Sequence, residues 1–403
     1  MGVFLPFIRN TKMEQRNIDK KRLYLNDGTL TSFEAEVLSC EKSERGYEII
    51  LDKTAFFAGG GGQEADEGAI DGVPLLAVFE RDGETVHLSE KCFDVGSKVF
   101  CEIDRTLRFR RMQGHGGEHV LSGILHSMFG TQNAGFHLGK NEVVTIDTRA
   151  PLTAEQLRLA EAEANRKICE NIPIKAYFPT EDELKDMSFR SKIDFEGEVR
   201  IVEIEGVDCC ACCAPHFPST APIGIIKIVD AISWKGGMRL TVLCGLAAYD
   251  DYAQKHISVR EISAALSAKQ NEIADAVKNT VAKNDEAHKK AEMLAKELRE
   301  MRISSLTGGK IACVFDENAD ANGLRDYANR LKEKYTLCVA FAPSKIGYTY
   351  AAASKTLDMS VIKAKIAEAL NGKGGGSGEM IFGSFDAERS TAEEFFTTLS
   401  KEF

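Results

Sequence analysis

Arg111-Met112-Gln113-Gly114-His115-Gly116-Gly117-Glu118-His119 is the stretch from which the organisation of the chain can be read. Two histidines four apart on a helix lie one turn above each other and point the same way. That is half of a metal site. The second half is the run Asp208-Cys209-Cys210-Ala211-Cys212-Cys213-Ala214-Pro215-His216, in which thiols and an imidazole crowd a turn that Pro215 keeps from being helical. In a reducing compartment such a cluster serves metal binding, because disulfides are rare there. Soft sulfur with imidazole suits zinc. Four cysteines exceed the need of one site. Cys212 with His216 repeats the i, i+4 spacing and is the preferred pair, with Cys213 next and Cys209 and Cys210 behind. His126 and His137 are read as structural.

The whole chain bounds the function class. Its 403 residues allow two to four domains, and 43% hydrophobic with 28% charged residues is ordinary for a globular protein. No apolar run approaches the length of a membrane span, and Met1 to Phe7 is too short for a signal peptide, so a cytoplasmic protein with no membrane partner is expected. The remaining cysteines, Cys40, Cys92, Cys101, Cys169, Cys244, Cys313 and Cys338, are scattered singly and read as buried thiols. A net charge of −10 and a pI near 5.5 exclude a general nucleic-acid binder. Nucleic acid must be gripped locally. Arg105, Arg108, Arg110 and Arg111 form the densest basic patch, either a solvated helix start or a phosphate-facing surface.

Outward from the histidines, Leu23 to Ile103 reads as β structure. Phe33, Ala35 and Val37 alternate with polar residues, as do Val99, Cys101 and Ile103. Asp27-Gly28, Asp71-Gly72 and Asp82-Gly83 supply hairpin turns, so a small β-barrel is expected. Inside it, Thr54 to Asp66 carries four successive glycines, Gly59 to Gly62, ahead of Gln63. This is a flexible loop or a backbone approached closely by a ligand. No lysine follows, which excludes a phosphate-binding P-loop.

Beyond Arg105 a helix carries the histidines, buried by a stripe of Leu121, Ile124, Leu125 and Met128. Gly135 to Gly139 leads into a strand around Val143 to Ile146. Thr153 with Gln156 forms a capping box for a helix to about Cys169. Strands follow at Val199 to Ile204 and Ile223 to Val229, with the cysteine cluster in the turn between them. From Tyr252 to Leu306 apolar residues fall on an approximate heptad, predicting a coiled coil, either antiparallel within the chain or between two copies. Lys310 to Phe403 reads as an α/β unit, with strands near Ile311 to Phe315 and Thr336 to Phe341 and helices near Leu324 to Lys334 and Met359 to Leu370. Asn371 to Gly378 then reads as a helix cap with a mobile loop, or as a backbone-amide surface whose Lys373 meets RNA.

Together these motifs resemble the freestanding alanyl-tRNA editing proteins and the editing and C-terminal domains of alanyl-tRNA synthetase, from about Arg22 to Phe403. Phe56-Phe57 through Gly62-Gln63 and Asp66 look like that family's aromatic-Gly-Gly-Gln-x-x-Asp segment. His115-x-x-x-His119 and Cys212-x-x-x-His216 match its split zinc pattern. Ile223 to Ile228 and Lys235 to Arg239 resemble the strands that follow, and the coiled coil with Gly372 to Gly376 is similar to the synthetase's C-terminal part. Two tripeptides depart: Gly116-Gly117-Glu118 stands where the synthetase has Thr-Ala-Thr, and Cys213-Ala214-Pro215 where it has Gly-Gly-Thr. A threonyl-type editing domain shares the zinc pattern.

The resemblance implies an α+β chain: an extension (1–19), a β-barrel (20–104), a zinc-binding editing domain (105–250), a coiled-coil linker (251–306) and a C-terminal α/β domain for tRNA binding or dimerisation (307–403). It implies one zinc ion held by His115, His119, Cys212 and His216, and hydrolysis of serine, with glycine as a second amino acid, from mischarged alanine tRNA. Thr54, Gly62 and Gln63 would meet the substrate, and Arg110, Arg111 and Lys373 the nucleic acid. Four protein ligands close a tetrahedral site, so Cys212 is expected to bind weakly or to leave if the metal is to act directly.

Two rivals remain. His115-Gly-Gly-Glu118-His119 spells an inverted zinc-peptidase motif with Glu118 as general base. That reading leaves the cysteine cluster idle, and apart from it Glu118 is expected to be an ordinary exposed helix residue. The other is a non-catalytic RNA-binding protein with structural zinc.

Overall fold

Alternation along the first long strand sets the N-terminal architecture: Phe33, Ala35 and Val37 are buried while Ser32, Glu34 and Glu36 face out. In a computed structural model, which describes residues 20–139, 142–190, 199–345 and 347–403, six strands close into a barrel. They are β1 (Ser32–Ser43), β2 (Gly46–Leu51), β3 (Gly68–Ile70), β4 (Val73–Arg81), β5 (Glu84–Ser89) and β6 (Lys98–Ile103), in the order β1-β2-β5-β4-β3-β6. Asp71-Gly72 and Asp82-Gly83 turn two hairpins with positive φ at both residues, as type I′ turns require. Asp27-Gly28 is not a hairpin turn, because a 3₁₀ turn at Leu23–Leu25 precedes it instead of a strand. The extension 1–19 lies outside the described residues.

The histidine helix α1 (Arg105–Phe129) starts at Asp104, whose Oδ1 accepts the Leu107 N–H at 2.9 Å, and ends at Gly130 in the left-handed region. Every residue from Arg111 to Leu125 is buried, so the helix is enclosed on all sides instead of along one stripe; Met128 is exposed. Around it stand β7 (Asn133–Leu138), β8 (Val144–Thr148), α2 (Ala154–Cys169), β9 (Ile174–Tyr177), α3 (Glu181–Asp186), β10 (Ile201–Ile204), β11 (Asp208–Ala211), β12 (Ile226–Trp234) and β13 (Gly237–Cys244). The strands form sheets of order β11-β10-β9 and β12-β13-β8-β7. At Gly117 a Cβ would stand 2.3 Å from Cys244 Sγ, so the sheet reaches the helix only because that side chain is missing. The Thr153–Gln156 capping box is present at the start of α2. Two strand positions differ from expectation: Gly135 to Leu138 already belongs to a strand, and Cys209 and Cys210 lie on β11, leaving only Cys212 onward in the turn.

The chain divides into two compact units between Ser258 and Val259. After α4 (Leu246–Leu266), the long helix α5 (Ile273–Ser305) leaves Val277, Val281, Met293, Leu294, Leu298 and Met301 exposed; only Ile303, at its C-terminal end, is buried. The C-terminal unit has a sheet of order β14-β15-β16-β18-β17, built from β14 (Ile311–Phe315), β15 (Leu337–Pro343), β16 (Tyr348–Ala353), β17 (Lys373–Gly375) and β18 (Met380–Phe385). Its helices are α6 (Ala321–Leu331), α7 (Met359–Leu370) and α8 (Arg389–Leu399). The Gly372 to Gly376 stretch is therefore not a plain loop: its centre is an edge strand pairing Gly374 with Gly383. No helix among the described residues is long and apolar enough to cross a membrane.

Candidate metal centre

The helix α1 carries His115 and His119 with their rings stacked at a centroid distance of 5.3 Å. The turn after β11 brings up Cys212, whose Sγ lies 3.4 Å from His115 Nε2 and 3.2 Å from His216 Nε2. Donor atoms of all four residues fall within 4.8 Å of one another. A tetrahedron with zinc bonds of about 2.0–2.3 Å sets its donors about 3.3–3.7 Å apart, so this nitrogen and sulfur set fits that metal class.

Hydrogen bonds choose the ring nitrogens. His115 Nδ1 lies 2.9 Å from Gln63 Oε1, and His119 Nδ1 lies 2.8 Å from Asp208 Oδ2. Both oxygens are acceptors, so each Nδ1 carries the proton and each Nε2 keeps a lone pair for a metal. Asp208 is held in turn by Arg190, through Nε at 2.6 Å and Nη2 at 2.7 Å. No hydrogen-bond partner for His216 Nδ1 is found among the described residues.

Charge separates the four cysteines. Burial alone would push the Cys212 thiol up, but facing His115 and His216 pulls it well below the ordinary range. Burial pushes Cys210 and Cys213 up, and Cys209 to about 11. Burial works against charge on His119 too, yet Asp208 and Cys212 raise it to about 9, while burial lowers His216 to about 4. Asp208 pays the same burial penalty and is still held below the usual carboxylate range by Arg190 and His119.

The glycine segment is an ordered wall beside this centre. Gly60 and Gln63 pair across a tight turn, and Gly62 O accepts the Leu138 N–H at 2.8 Å. Gly62 has φ +92°, and a Cβ there would stand 2.6 Å from Phe136, whose ring is 4.9 Å from His115. A cavity of about 350 Å³ opens here, lined by Gly59, Gly60, Gly62, Gln63, Glu64 and His137 among others. Gln63 is buried, and its Nε2 has no hydrogen-bond partner among the described residues.

Other expected residues lie elsewhere. Thr54 is buried in the barrel; its hydroxyl accepts the Phe56 N–H at 3.0 Å and lies 2.9 Å from His87 Nε2. His87 Nδ1 faces the Ile49 carbonyl at 3.2 Å, an acceptor, so Nε2 must receive the Thr54 proton. The arginine run is no open basic patch. Arg108 is 1% exposed and bonds Asp66, Gly28 O and Ala55 O, while Arg111 is buried and donates to Ala65 O at 2.6 Å. Arg110 is paired with Glu142 at 2.6 Å and Asp250 at 2.7 Å. Lys373 is exposed on β17.

Glu118, expected at the surface, is 1% exposed; it accepts from Ser122 Oγ at 2.8 Å and from Asn133, and faces Arg190 at 3.6 Å. Those contacts give it a structural task, which the peptidase reading did not foresee. Sequence reasoning also passed over Asp208, Arg190 and Arg200. A carboxylate abutting the cysteine run was a usable signal for Asp208; nothing local marks the two arginines.

Comparison with known proteins places similarities along the chain. Residues 199–240 match the family described as threonyl and alanyl tRNA synthetase second additional domain. That match covers β10 and β11, the cysteine turn, β12 and the start of β13, so this part of the chain is similar to a domain of threonyl and alanyl tRNA synthetases. The alanyl-tRNA editing protein Aarsd1-B of Xenopus laevis is 28% identical over 376 residues, 86% of this chain and 89% of that protein. AlaX-L of Pyrococcus horikoshii, also an alanyl-tRNA editing protein, is 28% identical over 238 residues, 57% of this chain and 59% of its own. The C-Ala domain of Aquifex aeolicus alanyl-tRNA synthetase is a structural neighbour at TM-score 0.21 and 14% identity, covering 24% of this chain and 94% of that one. The chain is similar to the Aarsd1 and AlaX alanyl-tRNA editing proteins along most of its length in the first case and over just under three fifths in the second.

Proposed function

We propose that the chain hydrolyses the ester that joins serine, with glycine as a second amino acid, to the terminal ribose of alanine tRNA, at a zinc site formed by His115, His119, Cys212 and His216. The observation that carries this reading is the Gln63–His115 hydrogen bond, which ties the glycine-walled cavity to the metal centre. An aminoacyl ester is already activated, so the protein's task is to orient the carbonyl and position a water. A bound zinc ion would supply Lewis-acid polarisation of that carbonyl if Cys212 gives up its position, and would orient the substrate if all four ligands stay.

The other expected residues sort by what they can still bond. Thr54 donates its O–H to His87 Nε2 and accepts the Phe56 N–H, which leaves one lone pair to accept from a serine hydroxyl that alanine lacks. Gly62 lets Gln63 approach the terminal adenosine. Arg110, Arg111 and Lys373 are the proposed contacts to RNA, with Arg111 acting through the Ala65 carbonyl that it holds. The exposed apolar stripe of α5 supports a coiled coil between two copies, with the C-terminal domain serving tRNA binding or dimerisation, in the cytoplasm.

Deacylation of seryl-, glycyl- and alanyl-charged alanine tRNA, beside seryl-charged threonine tRNA, tests the reading in wild type and Cys212→Ser. Loss of serine from alanine tRNA with alanine spared, abolished in the variant, is the expected result. Survival of every ester with zinc bound overturns it in favour of structural zinc. The peptidase reading predicts instead that Glu118→Gln abolishes activity and Cys212→Ser does not.

A further inference from the structure

Arg200 stands just before β10 and is 7% exposed. Its carbonyl accepts the Cys212 N–H at 3.0 Å, and its Nη1 donates to the Cys212 carbonyl at 3.0 Å. Both backbone polar groups of the metal-site cysteine thus end on one residue. The same Nη1 reaches Ala214 O at 3.0 Å, and Nη2 reaches Leu25 O at 3.0 Å, from the turn that precedes the barrel. Three residues beyond Leu25, Gly28 lies so close to the turn that a Cβ there would meet His216 O at 2.5 Å.

A buried guanidinium is costly when no anion faces it. Among the described residues no carboxylate stands within ion-pair distance of Arg200, and its Nε is buried without a partner. Carbonyls alone hold it. If bracing carbonyls were all it did, a neutral donor would serve without the cost of burying charge. The group beside it that becomes negative when a metal binds is the Cys212 thiol.

We propose that Arg200 is the positioning residue of the metal centre: it holds both ends of the Cys212 backbone, and its charge offsets that of the thiolate ligand. Arg200 touches no donor atom. It acts through the placement of Cys212 Sγ against His115 and His216, and it transmits the position of the Leu25 to Gly28 turn to the metal-site turn. The proposal rests on the metal-site reading above.

Cobalt(II) substitution separates the two. Wild type is expected to show sulfur-to-cobalt charge transfer that Cys212→Ala removes; failure of wild type to bind cobalt or zinc would overturn the metal reading itself. Arg200→Met, with its fold checked by circular dichroism and urea unfolding, should lose about half or more of that charge-transfer intensity while the histidine-dependent d–d bands persist. Its zinc affinity in chelator competition should fall about 10–100-fold, the range for loss of an outer partner. Arg200→Lys keeps the charge but reaches fewer carbonyls, and should fall between. Should Arg200→Met not fold, Arg200→Lys is read in the same way. Wild-type charge transfer and affinity in either folded variant overturns the proposal.

Discussion

Gln63 Oε1 accepts a hydrogen bond from His115 Nδ1 at 2.9 Å, joining a glycine-rich segment of the barrel domain to the first histidine of the metal helix. The bond sets the tautomer that leaves His115 Nε2 free for metal. Gln63→Leu should therefore weaken zinc binding by about 10–100-fold with little change in urea midpoint. Gln63→Glu keeps an acceptor and should stay within about threefold of wild type. Chelator competition on the three proteins checks this, and equal affinities in all would remove Gln63 from the metal centre.

Asp208 serves two partners at once, the His119 imidazole and the Arg190 guanidinium. Asp208→Ala leaves the half-buried Arg190 with Glu118 at 3.6 Å as its remaining carboxylate and frees a metal-site ring. Stability should fall by about 3–5 kcal/mol, the cost of breaking a buried pair from one side. Urea unfolding of the metal-free protein reads that loss, and a change below about 1 kcal/mol would show that Arg190 finds another partner.

Arg108 and Asp66 form a second buried pair, 1% exposed on each side, that pins α1 to the barrel. Asp66 also accepts the Phe57 N–H through Oδ2 at 2.6 Å. Asp66→Asn retains hydrogen bonding but not charge, and should cost less than Asp66→Ala, which should lose about 3–5 kcal/mol. Both variants should keep zinc binding per folded molecule. Similar losses in the two would mean that charge, not shape or hydrogen bonding, is what Asp66 supplies to the pair.

His87 gives a pH dependence outside the metal site. Burial lowers it from 6.5 to about 4, only partly offset by the Ile49 carbonyl, so the folded protein keeps it neutral where the unfolded chain takes a proton. The unfolded state binds more protons between pH 6.5 and 4, and stability must fall as pH falls through that window. The loss amounts to about 3 kcal/mol in all, at 1.4 kcal/mol per unit. Urea unfolding at pH 7 and 4.5 should show wild type losing about 2–3 kcal/mol more than His87→Gln. Parallel losses would mean that the ring is hydrated when charged.

Period and turn chemistry determined much of this molecule before any packing was known. Alternation at Phe33, Ala35 and Val37 marks the barrel's inward face, and Thr153 with Gln156 marks a helix start, because both depend on neighbours a few residues away. The i, i+4 spacings of His115 with His119 and of Cys212 with His216 were equally local. Long-range packing decided the rest. Spacing could only rank the four cysteines, with Cys212 first; the fold turns that Sγ towards three imidazoles and leaves Cys209 and Cys210 on a strand. Arg108, Arg110 and Arg111 read as one basic patch, yet helix phase and the approach of the barrel bury two of them and pair all three. Glu118 carried no sign of burial because its enclosure comes from strands and turns far along the chain. Charge and hydrogen-bond partners are relationships between distant residues, so a sequence could name the candidate ligands of this centre while only the tertiary structure could assign their protons, their counter-charges and the arginine that bonds the cysteine backbone.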